Sequence, residues 1–119
     1  MLYLISLAEG RIGFFVAENL KSIGADIKYN DLEDRCNQFE RVPLHRLSKS
    51  NGILISCDLN KSSRYIINNK FLNETKITSI INIAREECVE YNALIKWLRK
   101  SKYNYYYTDV QDSISKEQK

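Results

Sequence analysis

Short apolar runs, too brief for helices, alternate along this chain with stretches whose apolar residues recur every three or four positions. That alternation constrains the fold more than any other feature. Leu2–Leu7, Ile53–Cys57 and Ile77–Ile83 are short, mostly apolar runs of the kind that suits buried strands. Tyr103–Thr108 is aromatic and of high β-propensity. Ala25–Asn30 reads as a strand on the strength of Ile27 and Tyr29, Asn30-Asp31 is a turn signal, and Val42 closes a short further strand. Between them, Arg11–Ile23 carries Ile12, Val16, Leu20 and Ile23 as a helical stripe, and Gly24 follows where a helix stop needs a left-handed residue. Leu44–Ser50 reads as a two-turn helix broken at Gly52 and Lys61–Asn73 as helical in pieces. Glu90–Ser101 reads as a helix with Leu94, Trp97 and Leu98 on one face. The order β-α-β, short β, α-β-α-β-α-β predicts an α/β fold: a Rossmann-type, doubly wound parallel sheet in a single three-layer domain.

At 119 residues the chain has room for one core. Residues 1–112 are expected to form the domain and 113–119 a polar C-terminal tail. Eighteen Lys and Arg against fifteen Asp and Glu leave a net charge of +3, spread along the chain. Without a basic cluster, no nucleic-acid partner is expected. The apolar runs are too short to cross a bilayer, so no membrane association is expected. The opening MLYLISLAEG has no basic residue ahead of its apolar stretch, which argues against a secretory leader and for a cytoplasmic location. Cys36, Cys57 and Cys88 are dispersed with no CxxC spacing, as reduced thiols would be. No metal site is expected, and the single histidine, His45, excludes chemistry that needs two imidazoles.

The first strand–helix turn reads Ala8-Glu9-Gly10-Arg11-Ile12-Gly13. Gly10 and Gly13 fill the second and third positions of a G-x-G-x-x-G dinucleotide fingerprint, and Ala8 replaces the first glycine. The helix that starts there offers free N–H groups and its positive end to a diphosphate. Asp31, 18 residues past Gly13, stands where an acid would bind the ribose hydroxyls and favour NAD over NADP. A plainer alternative remains: the glycines serve only a tight turn, and Asp31 is a solvated turn residue. Glu9 speaks for that alternative, since a carboxylate beside a diphosphate repels it unless turned to solvent.

Several spaced motifs point further. Gly10-Arg11-Ile12-Gly13 with Val16-Ala17, Leu20-Lys21 and Gly24 opens the series, followed by Leu44–Leu47 and Ile53–Ile55. Leu59–Asn68, Ile81-Asn82-Ile83-Ala84-Arg85, Ala93-Leu94 and Thr108-Asp109-Val110 complete it. In this order the motifs resemble the cofactor-binding domain of the D-isomer-specific 2-hydroxyacid dehydrogenases, over nearly the whole chain. The resemblance implies NAD as cofactor and hydride transfer between it and a 2-hydroxy or 2-oxo acid. It implies that the backbone at Arg11 and Ile12 meets the diphosphate and that Asp31 meets the adenosine ribose. Ile83 and Ala84 would flank the nicotinamide, and Asp109 would accept a hydrogen bond from its carboxamide. Arg85 falls on the catalytic arginine, whose guanidinium holds a 2-oxo acid bidentately.

The departures from the family pattern are as specific. Where the family has a glutamate a few residues after its D-V, this chain has Ile114, and the acid/base histidine would lie beyond Lys119. His45 is expected to be a surface or capping residue instead. A glycine pair after the arginine is replaced by Glu86-Glu87, which sets two acids beside an anion site. Asp58 stands where the family has proline, with its charge near the cofactor. The expectation is therefore an NAD-binding half of a dehydrogenase, incomplete and inactive alone, with a separate substrate domain or a homodimer partner. The alternative is a non-catalytic nucleotide-binding or protein-interaction module on the same core. Phe14 and Phe15 bear on this, since one of them falls off the apolar stripe and is expected to be exposed. Tyr105-Tyr106-Tyr107 is expected to pad both faces of a strand.

Overall fold

The computed structural model describes residues 2–5, 11–30, 39–56, 61 and 63–109. Their strands are β1 (Leu2–Ile5), β2 (Ile27–Asn30), β3 (Glu40–Arg41), β4 (Gly52–Ile55), β5 (Ser79–Asn82) and β6 (Tyr105–Thr108). Their helices are α1 (Arg11–Ser22), α2 (Leu44–Leu47), α3 (Asn69–Glu74) and α4 (Tyr91–Lys100), with a 3-10 turn at Glu86–Cys88. The strands form one sheet in the order β3-β2-β1-β4-β5-β6, parallel at every pairing. Parallel neighbours need crossovers, and the helices between the strands supply them. The strand order is that of the doubly wound dinucleotide-binding sheet.

Alternation along the strands divides the core in two. Ile53 and Ile55 of β4 pack with Leu47 of α2, Phe71 of α3 and Leu94 and Trp97 of α4. Leu54 between them points to the opposite face, where Ala17 of α1 meets Ile27 and Tyr29 of β2. Helices thus cover both faces and make three layers. A parallel strand with a helix on each side must be apolar throughout, and all four residues of β4 are buried.

Gly24 ends α1 as the sequence requires. Its φ of +103° lies in the region that L side chains avoid. The Ala25 N–H donates to the Leu20 carbonyl at 3.1 Å and the Gly24 N–H to the Lys21 carbonyl at 3.0 Å. Those two bonds are a Schellman motif, and they satisfy carbonyls the helix end would leave open. The stripe departs from expectation at Ile23, which is 80% exposed. The helix has already ended at Ser22, and the turn into Gly24 rotates Ile23 off the buried face.

Other bounds tighten. Strands β2, β5 and β6 begin at Ile27, Ser79 and Tyr105, each two residues later than the stretch that predicted it. The segment expected to be helical from Lys61 to Asn73 is helical only in α3. Asn68 caps that helix, its side chain accepting from the Phe71 N–H at 3.1 Å, so the helix cannot begin earlier. On β6 the expectation of padding on both faces is corrected. Tyr106 is half-buried against the α4-side core, while Tyr105 and Tyr107 are exposed on the other face. The boundary at 112/113 lies outside the described residues, as do Cys36 and Cys57; Cys88 is a buried free thiol.

Gly24→Ala is expected to lower the unfolding free energy by about 1–2 kcal/mol, because alanine is strained at this φ although open space surrounds it. Urea and thermal melts check this, with a fall in Tm of roughly 4–10 °C for a domain of this size. Ile23→Lys, at an exposed position, is expected to stay within about 0.5 kcal/mol of the parent.

Candidate functional site

In-register pairing lines the strand ends up in one row. Asn30 of β2 pairs with Ile5 of β1, Ile5 with Ile55 of β4, Ile55 with Asn82 of β5, and Asn82 with Thr108 of β6. All five residues end their strands, so the row is the carboxyl edge of the sheet. From β1 the chain crosses to β2 on one side, and the later strands continue from β4 on the other. Such a switch point opens a crevice at the carboxyl edge, where α/β sheets bind ligands.

Of the expected site residues, Ile83, Ala84 and Arg85 follow β5 and Asp109 follows β6 at that edge. Arg11, Ile12 and Gly13 form the first turn of α1, which leads away from β1. That turn carries no acidic residue to oppose a diphosphate at the helix's positive end. Gly10, Ala8 and Glu9 lie outside the described residues, as do Asp31 and Asp58. Asn30, just before Asp31, is held by a bond from its Nδ2 to the Val42 carbonyl at 3.0 Å. Ile83 and Ala84 follow β5 directly. The Ile83 N–H donates to the Ile55 carbonyl at 3.0 Å, which ties the turn to the central strand. Ile83 packs toward the α1 side and Ala84 toward the other, so the two flank the edge of β5 from opposite faces. Asp109 is exposed, one residue beyond β6.

Arg85 is exposed, with extended backbone, immediately ahead of the 3-10 turn. The two acids after it part company. Glu86 is buried, whereas Glu87 is exposed and lies 3.5 Å from the Arg64 guanidinium. Of the two acids expected beside an anion site, Glu87 thus has its charge met by Arg64. Arg64 also lies over the Tyr65 ring, 4.8 Å from its centre. Tyr65 has a φ of 54° and donates its N–H to the Glu87 carbonyl at 2.8 Å. A non-glycine residue in that conformation costs about 1–2 kcal/mol, offset here by pairing of its segment with 87–90.

Sequence reasoning missed the group that shapes this turn. Asn82 is completely buried. Its Oδ1 accepts from the Ala84 N–H at 2.9 Å, and its Nδ2 donates to the Arg85 carbonyl and the Tyr106 hydroxyl, both at 3.0 Å. Burial pushes the Tyr106 hydroxyl above its ordinary pKa; hydrogen bonds with the Asn82 and Thr108 side chains work against the shift, and the charges of Glu86 and Cys88 add to it. The available signal was the period of two on β6, which sets Tyr106 and Thr108 on one face. His45 is exposed on α2. Among the described residues no cluster of three metal-ligating side chains occurs, and no helix is long and apolar enough to cross a membrane.

A parallel sheet in this order, with its switch-point crevice at the carboxyl edge, is the arrangement of a dinucleotide-binding domain. Comparison with known proteins agrees. Residues 5–118 match the family described as D-isomer specific 2-hydroxyacid dehydrogenase, NAD binding domain. The chain belongs to that family, and the dinucleotide of the domain is NAD. It is 35% identical over 99 residues to a glyoxylate reductase of Thermococcus onnurineus, covering 76% of this chain and 29% of the relative. A D-lactate dehydrogenase with NAD+ from Lactobacillus jensenii superposes with a TM-score of 0.82 at 26% identity, over 96% of this chain and 36% of that one. A glyoxylate reductase from Paecilomyes thermophila gives a TM-score of 0.79 at 28% identity, over 91% of this chain and 35% of that one. The chain therefore spans about a third of the length of these relatives.

The folded protein holds the Tyr106 proton more tightly than the unfolded chain does. Its contribution to stability is complete below pH about 10 and is lost as the pH rises through the folded value, because the unfolded state ionises first. Urea melts from pH 8 to 11 are expected to show a steeper alkaline loss of stability in the parent than in Tyr106→Phe, which has no proton to lose.

Proposed function

We propose that this chain is the cofactor-holding part of an oxidoreductase that moves a hydride between NAD and a small 2-hydroxy or 2-oxo acid. One observation supports the reading: Ile83-Ala84-Arg85 and Asp109 directly follow β5 and β6, whose last residues lie in register with the last residues of β4 and of β1, the strand that precedes α1. Backbone N–H groups at Arg11 and Ile12, with the helix dipole behind them, bind the diphosphate. Gly10 and Gly13 let it approach the backbone, and Asp31 takes the ribose hydroxyls. Ile83 and Ala84 offer apolar walls on either side of the nicotinamide, and Asp109 accepts from its carboxamide. NAD supplies hydride acceptance and donation when bound.

Arg85 binds the acid. Its guanidinium matches a carboxylate with two parallel N–H donors, so a 2-oxo acid is held in one orientation. Residues 1–112 act as the NAD-binding unit in this reading, with 113–119 as a polar tail.

The proton that accompanies the hydride needs a group within hydrogen-bond reach. His45 lies exposed on α2, which packs on β2, and three strand spacings of about 4.8 Å, about 14 Å in all, separate β2 from β5, the strand that leads to Arg85. The reading gives it no part in the proton transfer. The reading therefore assigns the acid/base to a separate substrate domain or a homodimer partner. Exposed aromatics support a protein partner: Phe15 is 69% exposed on α1, and Tyr105 and Tyr107 stand open on β6.

Thermal melts test the cofactor role. Millimolar NAD+ is expected to raise Tm, AMP to raise it less, and NADP+ to have little effect because Asp31 repels the added phosphate. An unmoved Tm with all three would sink the proposal. Glyoxylate or hydroxypyruvate with NADH is expected to give no loss of absorbance with residues 1–119 alone. Turnover by this chain would show that it carries its own acid/base.

A further inference from the structure

Asn82 ends β5 with no exposure to solvent, so its carboxamide must find its partners inside the protein. Two of its bonds bracket the turn that carries Arg85. Oδ1 accepts from the Ala84 N–H, and Nδ2 donates to the Arg85 carbonyl, so one planar group holds both ends of a two-residue stretch. The third bond comes from the neighbouring strand. Tyr106 faces Ile80 in register, and its ring reaches along the sheet toward the carboxyl edge, where its hydroxyl accepts from Asn82 Nδ2. Thr108, opposite Asn82, bonds to the same hydroxyl.

We propose that Asn82, braced by the Tyr106 hydroxyl, is the positioning residue for Arg85, holding the 83–85 turn in the shape that presents the guanidinium to the carboxylate of a 2-oxo acid. This rests on the reading of Arg85 given under the proposed function. The need for such a brace follows from the backbone. Arg85 belongs to no strand or helix, and its φ and ψ of −127° and 145° are extended. Its carbonyl receives the Cys88 N–H of the following 3-10 turn at 3.0 Å, which ties it downstream. Asn82 ties it upstream. A bidentate guanidinium–carboxylate pair tolerates little angular error, so a turn free to rock would weaken acid binding while leaving the dinucleotide's contacts at α1 intact.

The test compares the parent, Tyr106→Phe and Asn82→Ser by NMR, with and without NADH and with oxamate as a stable analogue of a 2-oxo acid. Tyr106→Phe keeps the ring in the core and removes one hydroxyl, so it remains informative should Asn82→Ser fail to fold. In Tyr106→Phe the Ala84 amide is expected to exchange about tenfold faster, and exchange at Ile80 in mid-strand to stay as in the parent. NADH affinity is expected to hold within about twofold, while oxamate binding to the NADH-loaded protein weakens about three- to tenfold. Unchanged Ala84 exchange together with unchanged oxamate binding would overturn the proposal. Should oxamate leave the Arg85 resonances of the parent unmoved, the reading of Arg85 fails, and the brace is then decided by Ala84 exchange alone.

Discussion

Everything at the carboxyl edge depends on strand register. Five strands end level because each pairs residue for residue with its neighbour, and a one-residue slip would throw every side chain to the opposite face. The penalty for a slip is clearest at β4. Ile53 and Ile55 fill the core under α3 and α4 while Leu54 fills the one under α1, so neither face has room for the other's set. Packing of buried aliphatic side chains thus fixes where the loops leave the sheet. The loops carry the chemistry.

The edge has a division of labour. At its centre, β1 and β4 define the crevice and the start of α1 offers backbone donors. Toward β5 and β6, side chains take over. Asn82, Tyr106 and Thr108 form a buried polar chain that spends its hydrogen-bonding capacity on the backbone around Arg85 rather than on solvent. A buried network is costly when partly satisfied, and Asn82 has partners for its acceptor and for two donors. Arg64, Tyr65 and Glu87 brace the far side of the same turn through the 65–67 and 87–90 segments.

Much of this was legible in the sequence, for reasons that can be named. Gly24 could be read because one residue type tolerates its φ, and the stripe before it identified the helix it ends. The sheet could be read because Ile53–Ile55 and Ile80–Ile81 are too apolar and too short for anything but doubly covered strands. Ile23 misled, since spacing alone does not reveal that the last turn of a helix has unwound. The role of Asn82 was hidden. Its partners are two backbone groups and a hydroxyl 24 positions away, and nothing in a one-dimensional pattern marks a carboxamide as buried. The readings of Arg85 and Asp109 came from resemblance, not from spacing. The sequence from Ala8 to Gly13 could be read as a phosphate-binding turn only because Gly10 and Gly13 stood in it.

The central claim is that the row of strand ends from Asn30 to Thr108 receives NAD. Titration of the ¹⁵N-labelled protein with NAD+ tests it most directly. The account predicts shifts concentrated at the amides of residues 11–13, 83–85 and 109, with Asn51, Thr78 and Asn104 at the opposite edge of the sheet unmoved. Shifts confined to that opposite edge, or none at all at saturating NAD+, would contradict it.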